Sequence, residues 1–141
     1  RGPGLLKCNR HELRELLGTD EIEGATAPSA LAAEMQRLRQ RGIEVVVVTM
    51  GAEGALLADG SGVVRVRVPV IEEVNPTGSG DLLLAGLLVG LERGLSAHQA
   101  LVLGAACGTA GATHLTPELP ADFDRAAWEP RIGIEMLPAA P

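Results

Sequence analysis

Apolar residues along this chain fall into three spacings, each predicting a different element. Leu5 and Leu6, followed by Lys7, make a short strand-like run. Asn9 then stands at a helix N-cap position with Glu12 three residues on, the spacing of a capping box. Leu13, Leu16 and Leu17 give the short helix that follows one apolar face, and Gly18 ends it. Pro28 opens a second helix, with Leu31, Met35 and Leu38 at helical spacing and Gly42 as its stop. Val45-Val46-Val47-Val48 is a β-branched run without polar alternation, which predicts a strand buried on both faces. A helix feeding such a strand is half of a βαβ unit, so parallel pairing is expected here.

Further on, residues 55–58 and 63–68 read as two strands joined through Asp59-Gly60-Ser61-Gly62, a hairpin. Arg65 and Arg67 alternate with Val64, Val66 and Val68, which puts the arginines on a solvated face. Gly78-Ser79-Gly80 leads into a long apolar helix expected over residues 81–93. Ser96 caps another helix, rich in small residues (Gly104, Ala105, Ala106, Gly108, Ala110). A short helix around residues 122–128 precedes a proline-punctuated tail. Strands alternate with helices and no internal repeat is visible, so the pattern describes one α/β unit.

Composition narrows this further. With 141 residues, 46% hydrophobic and 21% charged, the chain suits one domain or one lobe of a larger one. Trp128 and Phe123 are its only aromatics, so the core is Leu, Val and Ala, which favours helices packed on a sheet. The net charge of −6, without a Lys/Arg run, argues against a nucleic-acid partner. An acidic chain can still hold phosphates through backbone amides, a helix N-terminus and a metal. Cys8 and Cys107 lie far apart without metal-ligand spacing and read as free thiols in a reducing compartment. The start, from Arg1 to Lys7, has no long apolar region of the signal-peptide kind. The longest apolar run, residues 82–91, is about half of what a bilayer span needs and contains Gly86 and Gly90. A cytoplasmic location with no membrane partner is expected.

Four segments carry candidate chemistry. In Asn75-Pro76-Thr77-Gly78-Ser79-Gly80-Asp81, glycines allow a tight turn whose amides approach a ligand, and the next helix points its positive end at the same spot. That arrangement suits a phosphoryl group in flight, with Asp81 placed to take a proton from an attacking hydroxyl. On Gly-x-Gly-Asp alone, Asp81 as a plain helix cap is the stronger reading. Lys7-Cys8-Asn9-Arg10-His11-Glu12 is, taken alone, a capping box. Thr49-Met50-Gly51-Ala52-Glu53-Gly54 follows a buried strand, where open α/β sheets bind ligands, but its glycine spacing is not a dinucleotide fingerprint. The small residues from Gly104 to Ala110 suit a flat ring against a helix, or tight helix packing equally well. His11, His98 and His114 share no metal-ligand spacing, Glu72 and Glu73 read as surface carboxylates, and the Gly-x4-Gly-Lys-Ser/Thr loop is absent.

In this order, over residues 7–128, the segments resemble the ribokinase-like (PfkB) carbohydrate kinases, and Asn75–Asp81 is similar to the family's second signature position by position. Cys8 replaces the proline usual in the family's Lys-Pro-Asn-x-x-Glu. The resemblance implies Gly78, Ser79 and Gly80 as anion hole and Asp81 as catalytic base. It implies Lys7, Asn9, Glu12, Thr49, Gly51, Gly54, Thr77 and Gly108 on the nucleotide side, with Asn9 and Glu12 reaching Mg2+ through water. It favours an adenine pocket at the small-residue helix. The implied fold is a three-layer α/β/α sandwich of the ribokinase type, its sheet mostly parallel with a β-hairpin.

The implied activity is transfer of the ATP γ-phosphoryl to a hydroxyl of a sugar or sugar phosphate. The branch with tagatose-6-phosphate kinases, 1-phosphofructokinases and minor 6-phosphofructokinases is the most similar. Members of the family are much longer, so residues 1–141 are expected to correspond to the C-terminal, nucleotide-binding and catalytic half, without the N-terminal sugar-binding and lid portion. The expected protein partners are a second copy, through an exposed sheet edge, or that missing half. Two other readings stay open: a catalytically silent nucleotide-binding or interaction module, and a nucleoside or vitamin kinase of the same superfamily.

Overall fold

The computed structural model describes residues 4–18 and 27–139, and what was read from Arg1, Gly2 and Pro3 at the start lies outside them. Polar caps and prolines set the helix starts. Strand β1 (Leu5–Asn9) runs directly into helix α1 (Arg10–Leu17), whose capping box is formed from both sides: Asn9 accepts from the Glu12 amide and Glu12 from the Asn9 amide. Gly18, at φ 66°, closes the helix in the left-handed conformation. Leu13 is fully buried and Leu17 partly, but Leu16 is 54% exposed, against the expected single apolar face. In so short a helix Leu16 sits about 100° round from Leu17 and beyond the edge of the buried stripe. Helix α2 (Pro28–Gln40) starts on its proline and buries Leu31, Met35 and Leu38, as the spacing predicts.

The chain forms two compact units. The first takes in the chain as far as Met50, Ala55–Arg65, and the end from Glu135. Strand β2 (Val45–Thr49) pairs in parallel with β1, Leu5 opposite Val45 through to Asn9 opposite Thr49. Strand β3 (Ala55–Asp59) returns antiparallel, Val48 opposite Leu56. The link between β2 and β3 is five residues, too short for a parallel crossover, so the chain must reverse and the sheet is mixed. Val46, Val47 and Val48 are all inaccessible to solvent, which bears out a strand buried on both faces. Val46, Val48, Leu56 and Ala58 share one cluster with Leu13, Leu31, Met35 and Leu38, and that cluster is the core of this unit.

Strand β4 (Gly62–Arg67) follows β3 through a two-residue turn in which Asp59 accepts from the Ser61 amide and hydroxyl. The sheet continues, in the order β1-β2-β3-β4-β5, to a strand that the sequence reading left as tail: β5 (Gly133–Met136). Leu137 donates to the Val63 carbonyl at 2.8 Å. With that neighbour, Val63 is buried along with Val64 and Val66, and Arg65 is half-buried, so only Arg67 fits the solvated face expected of both arginines.

The second unit comprises Gly51–Gly54 and Val66–Ile134. Its centre is a pair of helices, α3 (Ser79–Glu92) and α4 (Ala97–Ala112), the latter started by a Ser96–Gln99 capping box. The small residues of α4 are buried, and two of them meet the backbone of α3. A β-carbon at Gly104 would lie 2.5 Å from the Leu83 carbonyl oxygen, and one at Gly108 would lie 2.7 Å from that of Ser79. Reciprocally, a β-carbon at Gly86 would come within 2.9 Å of the Gly104 α-carbon. The short helix α5 (Arg125–Trp128), capped by Asp124, completes the unit together with a 3-10 turn, Glu129–Arg131, whose Arg131 stacks 4.5 Å from the Trp128 ring. No helix among the described residues is long and apolar enough to cross a membrane.

Each unit buries one cysteine, and both thiols are free. Burial, with Glu12 nearby, pushes the Cys8 thiol up to about 11, and burial likewise raises Cys107, helped by Glu129. Thiolate is the reactive form, so at pH 8 Cys8 should alkylate at least ~100-fold more slowly than an unfolded thiol, a difference that mass spectrometry of iodoacetamide-treated protein measures. A raised thiol pKa favours the folded state below the unfolded value near 9 and ceases to do so as pH climbs through about 11. Denaturant midpoints should therefore show no thiol-linked change up to about pH 8.5, then fall from there toward pH 11. The helix crossing gives a second test. Gly104→Ala should lower unfolding free energy by about 1–3 kcal/mol despite alanine's better helix propensity, because neither backbone can give way. Gly60→Ala, whose new β-carbon would meet nothing nearer than 3.8 Å, is the control and should stay within about 0.5 kcal/mol in the same urea titration.

Candidate functional site

Helix α3 begins two residues before the position expected for it, and this decides what each residue of the glycine turn does. Gly78 is the N-cap in the left-handed conformation, φ 81°, and a β-carbon there would also press within 2.6 Å of Pro117. Gly80, in contrast, is an ordinary helical residue. The Ser79 amide donates to the Pro76 carbonyl at 3.1 Å, and Leu82 makes the first bond of the helix, to Gly78. Between them, the amides of Gly80 and Asp81 belong to the first turn, where no preceding carbonyl is available to accept. Asp81 is the third helical residue and its side chain is exposed. Thr77 is exposed just ahead of the turn.

Asn75 is the residue that sequence reasoning passed over. Its Oδ1 accepts from the Thr77 amide at 3.0 Å, and its Nδ2 donates to the Leu115 carbonyl at 2.9 Å. The amides of Val74 and Asn75 both donate to the Ala112 carbonyl at the end of α4, at 2.9 and 3.2 Å. An Asn that accepts from the amide two residues on is a legible turn signal, whereas the bond to Leu115, 40 residues away, is not.

In the first unit, Asn9 and Thr49 are opposite each other at the carboxyl ends of two parallel strands, where open α/β sheets place ligands. Lys7 lies two residues back on β1, half-buried and opposite Val47. The capping box fixes Asn9 and Glu12 at 2.8 Å in each direction, with both residues exposed. It uses one oxygen of Glu12, Oε2, and leaves Oε1 available. No group of three or more His, Cys, Asp or Glu that could hold a metal ion occurs among the described residues. An Asn amide and a carboxylate oxygen facing water fit Mg2+ as outer-shell partners, since that ion keeps much of its hydration.

The remaining predicted residues belong to the second unit. Gly51 opens the 3-10 turn Gly51–Glu53 at φ 59° and is exposed, with no atom within 4 Å of where a β-carbon would stand. Gly54, at φ 92°, is buried against the Val66 carbonyl, so its glycine is required by the β3 entry itself. Gly108 faces the Ser79 carbonyl, which assigns it to the helix crossing. Of the nucleotide-side residues in this unit, Gly51 and Thr77 are therefore open to a ligand, whereas Gly54 and Gly108 are packed. The donor set fits a phosphate at the start of α3.

The model for the pfkB family carbohydrate kinases matches residues 1–121. A 1-phosphofructokinase of Bacillus subtilis (strain 168) is 36% identical over 110 residues, which is 78% of this chain and 35% of the relative. An ATP-dependent 6-phosphofructokinase isozyme 2 of Mycobacterium tuberculosis (strain ATCC 25618 / H37Rv) is 38% identical over 109 residues, or 77% and 31% of the two chains. The chain thus spans about a third of the length of these curated relatives. Among solved structures, phosphofructokinase-2 from Escherichia coli in complex with substrates and products matches with a TM-score of 0.75 at 26% identity, over 84% of this chain and 38% of that one. Ribokinase from Thermotoga maritima matches at 0.71 and 22% identity, over 84% and 39%, which speaks for the fold alone. The ribokinase-like α/β fold implied by the motifs is thereby established, and the chain belongs to the pfkB family of carbohydrate kinases.

Proposed function

We propose that this chain is the nucleotide-binding and catalytic portion of an ATP-dependent kinase that phosphorylates a hydroxyl of a sugar phosphate, with Asp81 as general base. The observation that carries this reading is the turn at the start of α3: a left-handed Gly78 places Asp81 in the first helical turn with its carboxylate exposed, beside amides that have no helical acceptor. The names of the two curated relatives, both phosphofructokinases, favour a fructose phosphate as acceptor.

When bound, ATP supplies the phosphoryl group and Mg2+ spreads its charge. Asp81 would take the proton of the attacking hydroxyl as the new oxygen–phosphorus bond forms and the bond from the γ-phosphorus to the bridging oxygen breaks, with ADP as the leaving group. The amides at Gly78 and Gly80 stabilise the negative oxygens of the group in transfer, while the Ser79 amide closes the turn onto Pro76. Asn9 and Glu12 orient hydrated Mg2+ from the end of β1, and Lys7 contributes a positive charge on the same strand. Among the residues assigned to the nucleotide, Thr49 belongs to the first unit at the end of β2, and Gly51 and Thr77 are the open ones of the second. Little covalent work is asked of the protein, so positioning supplies most of the rate.

Calorimetric titration of Mg-ATP into the chain and its Asp81→Asn variant, with turnover measured on fructose phosphates, tests this. Both proteins should bind Mg-ATP with dissociation constants within about threefold of each other, and the variant should lose about 10^2–10^4 of the turnover, the usual contribution of a general base. Equal turnover in the two proteins would remove Asp81 from the base role. Binding by both without turnover in either would match a silent nucleotide module or a kinase whose sugar site lies in a separate N-terminal portion, and a folded chain that does not bind Mg-ATP would refute the reading outright.

A further inference from the structure

Asp81 and the Gly80 amide are set by a turn in which one side chain, that of Asn75, makes two of the holding hydrogen bonds. A ring of contacts runs from Gly78 back to Thr77, from the Thr77 amide to Asn75 Oδ1, from Asn75 Nδ2 to the Leu115 carbonyl, and along the chain to Pro117, which packs against Gly78. The two ends of this ring differ in how firmly they are held. The Val74 and Asn75 amides are tied to the last carbonyl of α4, and α4 is locked against α3 where Gly108 meets the Ser79 carbonyl. Residues 113–118, by contrast, are mostly exposed and lie in no regular element, and the Asn75–Leu115 bond is the side-chain hydrogen bond that, beside the Pro117 contact, ties them to the turn.

We propose that Asn75 is a positioning residue for phosphoryl transfer: it joins the glycine turn to the segment after α4 and so sets the direction of the Gly80 amide and the Asp81 carboxylate. The inference rests on the proposed function of that turn. The chemistry of the position is specific to asparagine. One atom must accept from an amide two residues on while a second donates to a carbonyl, and a primary amide on a single methylene does both. Aspartate offers only acceptors when ionised, serine is too short to reach both partners, and glutamine moves the amide outward by one carbon. Asn75 needs no contact with the substrate to act in this way, since each polar end of its side chain holds one side of the tie.

The test compares the chain with Asn75→Ala and Asn75→Asp, using Mg-ADP with and without fluoroaluminate as the probe. Fluoroaluminate stands in for the planar phosphoryl group, so the tightening that it adds reports on geometry that ground-state binding does not use. Wild type should show that added tightening, and both variants should lose about tenfold of it, the weight of one well-placed hydrogen bond, while their affinity for Mg-ADP alone changes by less than about threefold. Amide resonances of Gly80 and Asp81 should shift in both variants. Asn75→Asp keeps the acceptor for Thr77 and loses only the tie to Leu115, so it decides the matter should Asn75→Ala fail to fold. A folded Asn75→Asp protein with the full fluoroaluminate gain overturns the positioning role while leaving the function of the turn standing. No gain in wild type overturns both, and the wild-type measurement alone distinguishes that case.

Discussion

Two helices crossing backbone to backbone fix the part of this molecule that matters most. Where Gly104 meets the Leu83 carbonyl and Gly108 meets that of Ser79, α3 and α4 approach more closely than any side chain would allow. Ser79 is the first helical residue of α3, so the contact at Gly108 sits under the very turn that presents Asp81. A steric contact between two backbones has no rotamers to explore, and α3 cannot slide along α4 without driving a carbonyl into an α-carbon. The start of α3 inherits that rigidity, which is what a group that must be placed to a fraction of an ångström needs. The same contacts explain why the helix is rich in small residues without requiring a ligand to occupy them.

Capping boxes occur twice, and their comparison separates structural from chemical content. Ser96 with Gln99 starts α4 in the same way that Asn9 with Glu12 starts α1. Each satisfies two amides that the helix leaves without partners. The box therefore cannot by itself mark a site. Position and charge set the first apart: Asn9 stands at the carboxyl end of β1, opposite Thr49 at the end of β2, and its partner carries a carboxylate with one oxygen to spare. Under the proposed function, the capping bonds would serve a second purpose by orienting that carboxylate.

What the sequence made legible was whatever a local rule controls. Pro28, the run Val45-Val46-Val47-Val48, the Asn9–Glu12 spacing, the Ser96 cap and the turn after Asp59 each act within a few residues, and each element formed as expected. Strand β5 escaped because all four of its residues are exposed and its extended shape comes from its place beside β4, which no local pattern announces. Leu16 misled because apolar character was taken for burial in a helix of eight residues. The glycine pattern puts the start of α3 two residues late because Gly80 reads as a turn glycine like Gly78, and only φ separates the two. Within the candidate site, the motif singled out Asp81, the carboxylate proposed as base, but not the Asn75–Leu115 bond, which depends on a fold that brings residues 40 positions apart together.

The acidic balance of the chain bears on how such a site can work at all. A net charge of −6 opposes the approach of a polyphosphate, and Lys7 is the only lysine in the sequence. A cluster of basic side chains could have offset this, at the cost of long flexible groups that must be ordered whenever the anion arrives. Backbone amides at a helix start are already ordered by the helix that follows, and their dipoles keep the same strength at any pH the protein survives. Their weakness is that they cannot be moved one at a time: turning the amide of Gly80 means turning the peptide plane and with it the helix entry. If it binds a phosphate as proposed, a site of this kind would be tuned through what holds the turn, namely the left-handed Gly78, the Pro117 contact and the side chain of Asn75.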